Sequence, residues 1–151
     1  MKPNFIIYRR DSGEIVTVGG GVDFHDPIAD IQIAAALAPW GDGYGLFEAV
    51  GSGDDHYVVM LDETPVITDR PPIPYQIDST TVKAGDGSYV TITGLHNPCE
   101  LVIDDPDPTV ETWRVTVEDG GFEFECETPG IYTIEISRFP FLPARIEITA
   151  T

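Results

Sequence analysis

Three histidines could do chemistry in this chain: His25 in DFHDP, His56 in DDHY and His96 in LHNPC. Imidazole can ligate zinc or move a proton near neutral pH. Zinc hydrolases put two histidines at i, i+4 on one helix face, and structural zinc sites add paired cysteines. Neither spacing occurs here. Asp54, Asp55 and His56 together could act in a metal site, but a polar triplet entering an apolar run reads better as a solvated turn. The loop DDPDP, residues 104–108, clusters three carboxylates. Calcium takes several oxygens from a flexible loop, whereas the two prolines restrict this one and its spacing is not that of an EF-hand. A hydrated loop tip is expected. Ser52 in GSG resembles the centre of a nucleophile elbow, which needs a strand before it and a helix after it; strand-like runs lie on both sides. VGGGVD, with Gly19, Gly20 and Gly21, lacks the Gly-Lys-Ser/Thr of a phosphate loop. Glu123 and Glu125 share one exposed strand face, without the cleft a glycosidase needs. The expectation is a protein that is not an enzyme, with no metal site and no cofactor.

Composition narrows the partners. The 151 residues carry a formal net charge of −18. Up to Pro74 there are twelve Asp/Glu against four Lys/Arg, and from Tyr75 fourteen against four, so both halves are acidic and neither is a tail. Such a surface repels phosphate backbones and anionic lipid, which argues against direct nucleic-acid or membrane binding. It suits solubility and attraction to a basic partner. The opening MKPNFIIYRR has too short an apolar run for a signal core, and no run approaches membrane-spanning length, so folding in a cytosol is expected. Two cysteines, Cys99 and Cys126, are too few for a disulfide scaffold. Free, half-buried thiols are expected, with a single bridge as the alternative.

The elements that would position these residues fall into two halves. Hydrophobic residues make up 42% of the chain, enough for a core. Thirteen prolines and fifteen glycines punctuate short apolar runs, as in a β-rich protein. The stretch TDRPPIPYQ forbids a helix and favours an extended connector. The domains expected are a small α+β unit over residues 1–70, a Pro-rich connector over 71–76 and a seven-stranded antiparallel immunoglobulin-like β-sandwich over 77–151. In the first half, NFIIYRR and EIVTV read as a hairpin around DSG, followed by a helix with Asp26 as cap and Pro27 in its first turn. Ile28, Ile31, Ala35 and Leu37 give its apolar face. GLFEAV, HYVVML and TPVIT complete one sheet with the helix across it. In the second half, seven runs have turn signals between them, from QIDSTTVKA to RIEITA. FEFEC alternates, with Phe122, Phe124 and Cys126 facing one way and Glu123, Glu125 and Glu127 the other. Trp113 and Tyr132 read as core anchors. Pro129-Gly130 is a sharp turn into a regular strand.

Two apolar groups are candidates for docking on a partner. Phe139, Phe141 and Leu142 sit between prolines in RFPFLPA, where they either fill the open end of the sandwich or form an exposed patch. Trp40 and Tyr44 in PWGDGYG could anchor a partner, or stack weakly on sugar rings.

The landmarks also occur in a familiar order: FIIY and SGEI, then HYVV, PVITDRPPIP, LHNPCELVID, VEDGGFEFECETPGIYTIEI and FPFLPARIEI. This series resembles small tail- or virion-associated accessory proteins of tailed bacteriophages and prophages, over most of the chain. The resemblance implies a non-enzymatic structural component of a virion, made in the host bacterial cytoplasm. It would dock on other virion proteins at a tail tip, baseplate or fibre, with a homo-oligomer as a further partner. Head decoration, or a carbohydrate-binding module used in host attachment, are the alternatives. No catalytic residue follows from the resemblance.

Overall fold

A computed structural model describes residues 5–151. Asn4, expected at the start of the first strand, lies outside them. The protein is mainly β and divides into two compact units, Met1–Arg70 and Pro71–Thr151.

The first unit runs β1 (Phe5–Arg9), β2 (Ile15–Gly19), α1 (Ala29–Leu37), β3 (Tyr44–Glu48), β4 (His56–Leu61) and β5 (Thr64–Asp69). β1 pairs antiparallel with β2 on one side and β3 on the other. Phe5, Ile6, Ile7 and Tyr8 are all buried. Side chains alternate along a strand, so burying four in a row requires cover on both faces. Phe5 and Ile7 pack with Ile33, Ala36 and Leu37 of α1. Ile6 and Tyr8 pack with Val58 of β4 and Ile67 of β5. The single sheet expected for this half is therefore two: β4 and β5 form their own hairpin sheet, which covers the β1 face that the helix leaves open. The hairpin turns through Asp62 and Glu63, with φ of 50° and 64°. Two consecutive positive φ angles match the strand twist of a two-residue loop.

The helix also departs from expectation. Asp26 does not cap it; its Oδ1 accepts the Ile28 N–H at 2.8 Å, a local turn that delays the helix to Ala29. The inward face is then Ala29, Ile33, Ala36 and Leu37, spaced four, three and one apart, while Ile28 and Ile31 are exposed.

The second unit contains β6 (Gln76–Ile77), β7 (Thr81–Val82), β8 (Val90–Thr93), β9 (Cys99–Asp104), β10 (Trp113–Val117), β11 (Phe122–Phe124), β12 (Gly130–Ser137) and β13 (Ala144–Ala150). One sheet has the order β10-β9-β12-β13-β7 and the other β11-β8-β6. Pairing is antiparallel except between β7 and β13. The seven expected runs become eight strands because QIDSTTVKA divides. Asp78 bonds both ways to Thr91, its N–H to the carbonyl and its carboxylate from the N–H, and Ser79 Oγ accepts the Thr81 N–H. Side chains that bond backbone locally interrupt a ladder. β6 consequently stays beside β8 and β7 joins β13.

One core lies between the two sheets. Val90, Ile92 and Phe124 meet Leu101, Ile134, Ile136 and Ile148, all at most 2% exposed. Residues 71–76, read as a connector, belong to this unit. Ile73 is buried in its core, and Pro71 O and Ile73 N–H bond the backbone of Leu142 at 2.7 and 3.2 Å.

Candidate functional site

A cleft of about 330 Å³ opens at one end of the second unit's core. Its floor is Ile103, Phe124 and Tyr132. One wall comes from the β9–β10 loop, with Asp105, Val110 and Glu111, and from Trp113, the first residue of β10. The other wall is the β11–β12 connection, with Glu125, Cys126, Glu127 and Thr128. Trp113 was expected in the core and is instead 53% exposed. Trp113, Val115 and Val117 share one face of β10, and exposure falls along that face until Val117 is buried. β10 is an edge strand, and only its far end lies over the core. The indole therefore stands at the rim, edge-on to Phe122 with ring centroids 5.8 Å apart.

The floor is electrostatically distinctive. Tyr132 O–H donates to the Thr128 carbonyl at 2.8 Å, and its ring meets that of Phe124 edge-on at 5.1 Å. Burial, reinforced by Cys126 and the Asp105 carboxylate, pushes the Tyr132 pKa up to about 12. Burial likewise raises Cys126, and the charges of Asp105 and Glu127 oppose its ionisation, against a hydrogen bond with Tyr132. Buried Cys99 is also raised by desolvation. Both thiols are free and neither is activated as a nucleophile. A phenol whose folded pKa lies above its unfolded value of about 10 contributes stability that is complete below pH 10. That contribution is lost as pH rises through about 12. The second unit is accordingly expected to lose stability between roughly pH 10 and 12, and Tyr132→Phe to flatten that decline. Urea midpoints measured across this range would check it; an unchanged slope in the variant would contradict the assignment.

The DDPDP carboxylates are engaged in their own loop. Asp105 Oδ1 accepts the Asp107 N–H at 2.8 Å. Asp107 Oδ1 accepts the Thr109 N–H and hydroxyl at 2.9 and 2.7 Å, and these bonds hold its carboxyl below the usual range. Asp104 accepts from Thr112 Oγ1 at 2.8 Å. Among the described residues, no three His, Cys, Asp or Glu side chains converge as a metal site.

The other sequence candidates are scattered. In the first unit, His56 Nδ1 accepts the Ser52 N–H at 3.2 Å while Nε2 lies 3.3 Å from Asp69. Both nitrogens thus brace the entry to the hairpin, and Ser52 takes part through its backbone. Trp40 and Tyr44 come together at 5.4 Å with planes tilted by 53°, and the Arg9 guanidinium lies 5.8 Å from the Tyr44 ring. In the second unit, Phe139, Phe141 and Leu142 are half-buried. Phe141 packs against the core and stacks on His96 at 4.7 Å. The His25 backbone N–H donates to Asp23 Oδ1 at 3.0 Å. The cleft around Trp113 was not anticipated; its one sequence signal was a tryptophan opening a strand directly after an acidic, proline-containing loop.

No protein-family model matches the chain, and no characterised protein matches it in a sequence comparison.

Proposed function

We propose that this protein is a non-enzymatic docking component of a bacteriophage virion, associated with a tail tip, baseplate or fibre. The observation that carries the docking role is the open cleft of the second unit, with an exposed indole and carboxylates on both walls. It reads as a recognition surface: the thiol of Cys126, which lines it, is not activated, and the nearby aspartates are engaged in turns. The strand order supports an immunoglobulin-like sandwich, with a first strand shared between both sheets and the Tyr132–Thr128 bond in the place of a tyrosine corner. Such sandwiches serve many functions, so the virion setting rests on the resemblance of the landmark motifs and not on the fold. An acidic protein can also sit near packaged genome without being drawn onto it.

The test is quantitative mass spectrometry of purified particles of a phage that encodes this chain. A handful of copies per particle is expected for a tail tip, baseplate or fibre component. Hundreds would move it to the head or along the tail, and absence from particles would refute the virion reading.

A further inference from the structure

We infer that the Trp113 cleft binds an arginine or lysine side chain presented by a basic segment of a partner protein. This rests on the reading of the chain as a docking protein and specifies the partner's chemistry. Three observations converge on it. The cleft is concave and has an apolar floor of Ile103 and Phe124, which can take the aliphatic stem of a long cationic side chain. Trp113 stands half-exposed at its rim, and an indole face is the aromatic surface that attracts cations best. Asp105, Glu111, Glu125 and Glu127 all line the cleft, so a cation entering it meets negative charge.

The field inside the cleft agrees with this geometry. Asp105 opposes ionisation of both Tyr132 and Cys126, and Glu127 opposes that of Cys126, so the potential beside the floor is negative. An anion would meet the same repulsion. A neutral sugar could use the indole but would gain nothing from charge on two walls. The net charge of −18 adds long-range attraction for a basic segment and falls away with salt.

The probe is a hexa-arginine peptide, added to the full chain at low salt and followed by the indole N–H resonances of its two tryptophans. The Trp113 signal is expected to shift and the Trp40 signal to stay. Trp113→Ala should weaken binding about tenfold, as should Glu125→Gln combined with Glu127→Gln. The distant pair Asp54→Asn and Asp55→Asn removes as much charge and should change affinity less than about twofold. Both sets of positions are exposed, so folding is not at stake. Equal weakening by the near and distant pairs would overturn the proposal, leaving only non-specific charge attraction. So would a shift of Trp40 alone, or tighter binding of neutral chitohexaose at Trp113. Particle mass spectrometry separates this from the virion reading: a chain present in particles whose Trp113 ignores the peptide refutes the cleft assignment alone.

Discussion

Gly13→Ala is expected to remove most of the first unit's stability while leaving that of the second unchanged. Gly13 has φ of +79°, a region where an alanine costs about 1–2 kcal/mol. A Cβ there would also overlap the Val58 carbonyl of β4. That neighbour is backbone, so no rotamer change can relieve it. The same contact carries the 2.8 Å bond from Val58 N–H to the Gly13 carbonyl, which ties the β1–β2 turn to the hairpin sheet. Strain, displaced backbone and a lost hydrogen bond sum to roughly 4 kcal/mol. A small domain has only about 5 kcal/mol or a little more to lose. Each unit contains one tryptophan, Trp40 in the first and Trp113 in the second. Urea titration followed by the two indole resonances can therefore read each core separately. The Trp40 midpoint should collapse and the Trp113 midpoint should hold. Gly43→Ala is the control, since nothing lies within 4 Å of a Cβ there. If Gly13→Ala behaved like Gly43→Ala, the close approach of turn and hairpin would be wrong.

That contact shows why half of the architecture was legible and half was not. FIIY reads as a strand from composition alone, and its unbroken apolar run carries the further message that both faces are covered. What covers each face depends on pairing between distant segments. Nothing local in HYVVML says that it leaves the first sheet and packs across it. The helix shows a similar limit: Asp26-Pro27 has the right residue types for a start, but the Asp26 carboxylate closes a local turn on Ile28 and the helix begins only at Ala29. In the second half, FEFEC alternates as expected because its strand has one wet face. Trp113 misled because residue type fixes which face of β10 it joins but not how far the opposing sheet reaches. β11 and β8 are three and four residues long, so the end of β10 extends beyond their cover. The cleft is thus a product of unequal strand lengths in two sheets, a property of no single segment. Asp105 reads in the sequence as a loop tip and Glu125 and Glu127 as a wet strand face, because bringing them to one cleft requires the assembled sheets.

The same inequality makes Phe124 the side chain on which the second unit most depends. The sheet β11-β8-β6 is small, and its hydrogen bonds alone cannot hold it against the larger sheet. Phe124 is 2% exposed and is among the largest fully buried side chains in the chain. Its ring reaches across the core to Tyr132 at 5.1 Å, so it joins the two sheets directly. Phe124→Ala removes that bridge and leaves a void that two sheets pinned elsewhere by Ile92, Leu101 and Ile134 cannot collapse to fill. The expected cost is about 3–5 kcal/mol, or a fall of roughly 15 °C or more in the Tm of this unit. Phe122→Ala, two residues earlier and only half-buried, should cost less than half as much. Phe124→Leu keeps most of the volume and should cost about 1–2 kcal/mol. The cleft supplies a second readout, because Phe124 is its floor. At a temperature where Phe124→Ala is still folded, hexa-arginine should bind it more weakly than the parent chain and shift the Trp113 resonance less. A variant that lost its stability but kept the full Trp113 response would separate the floor from the walls and assign recognition to the rim alone.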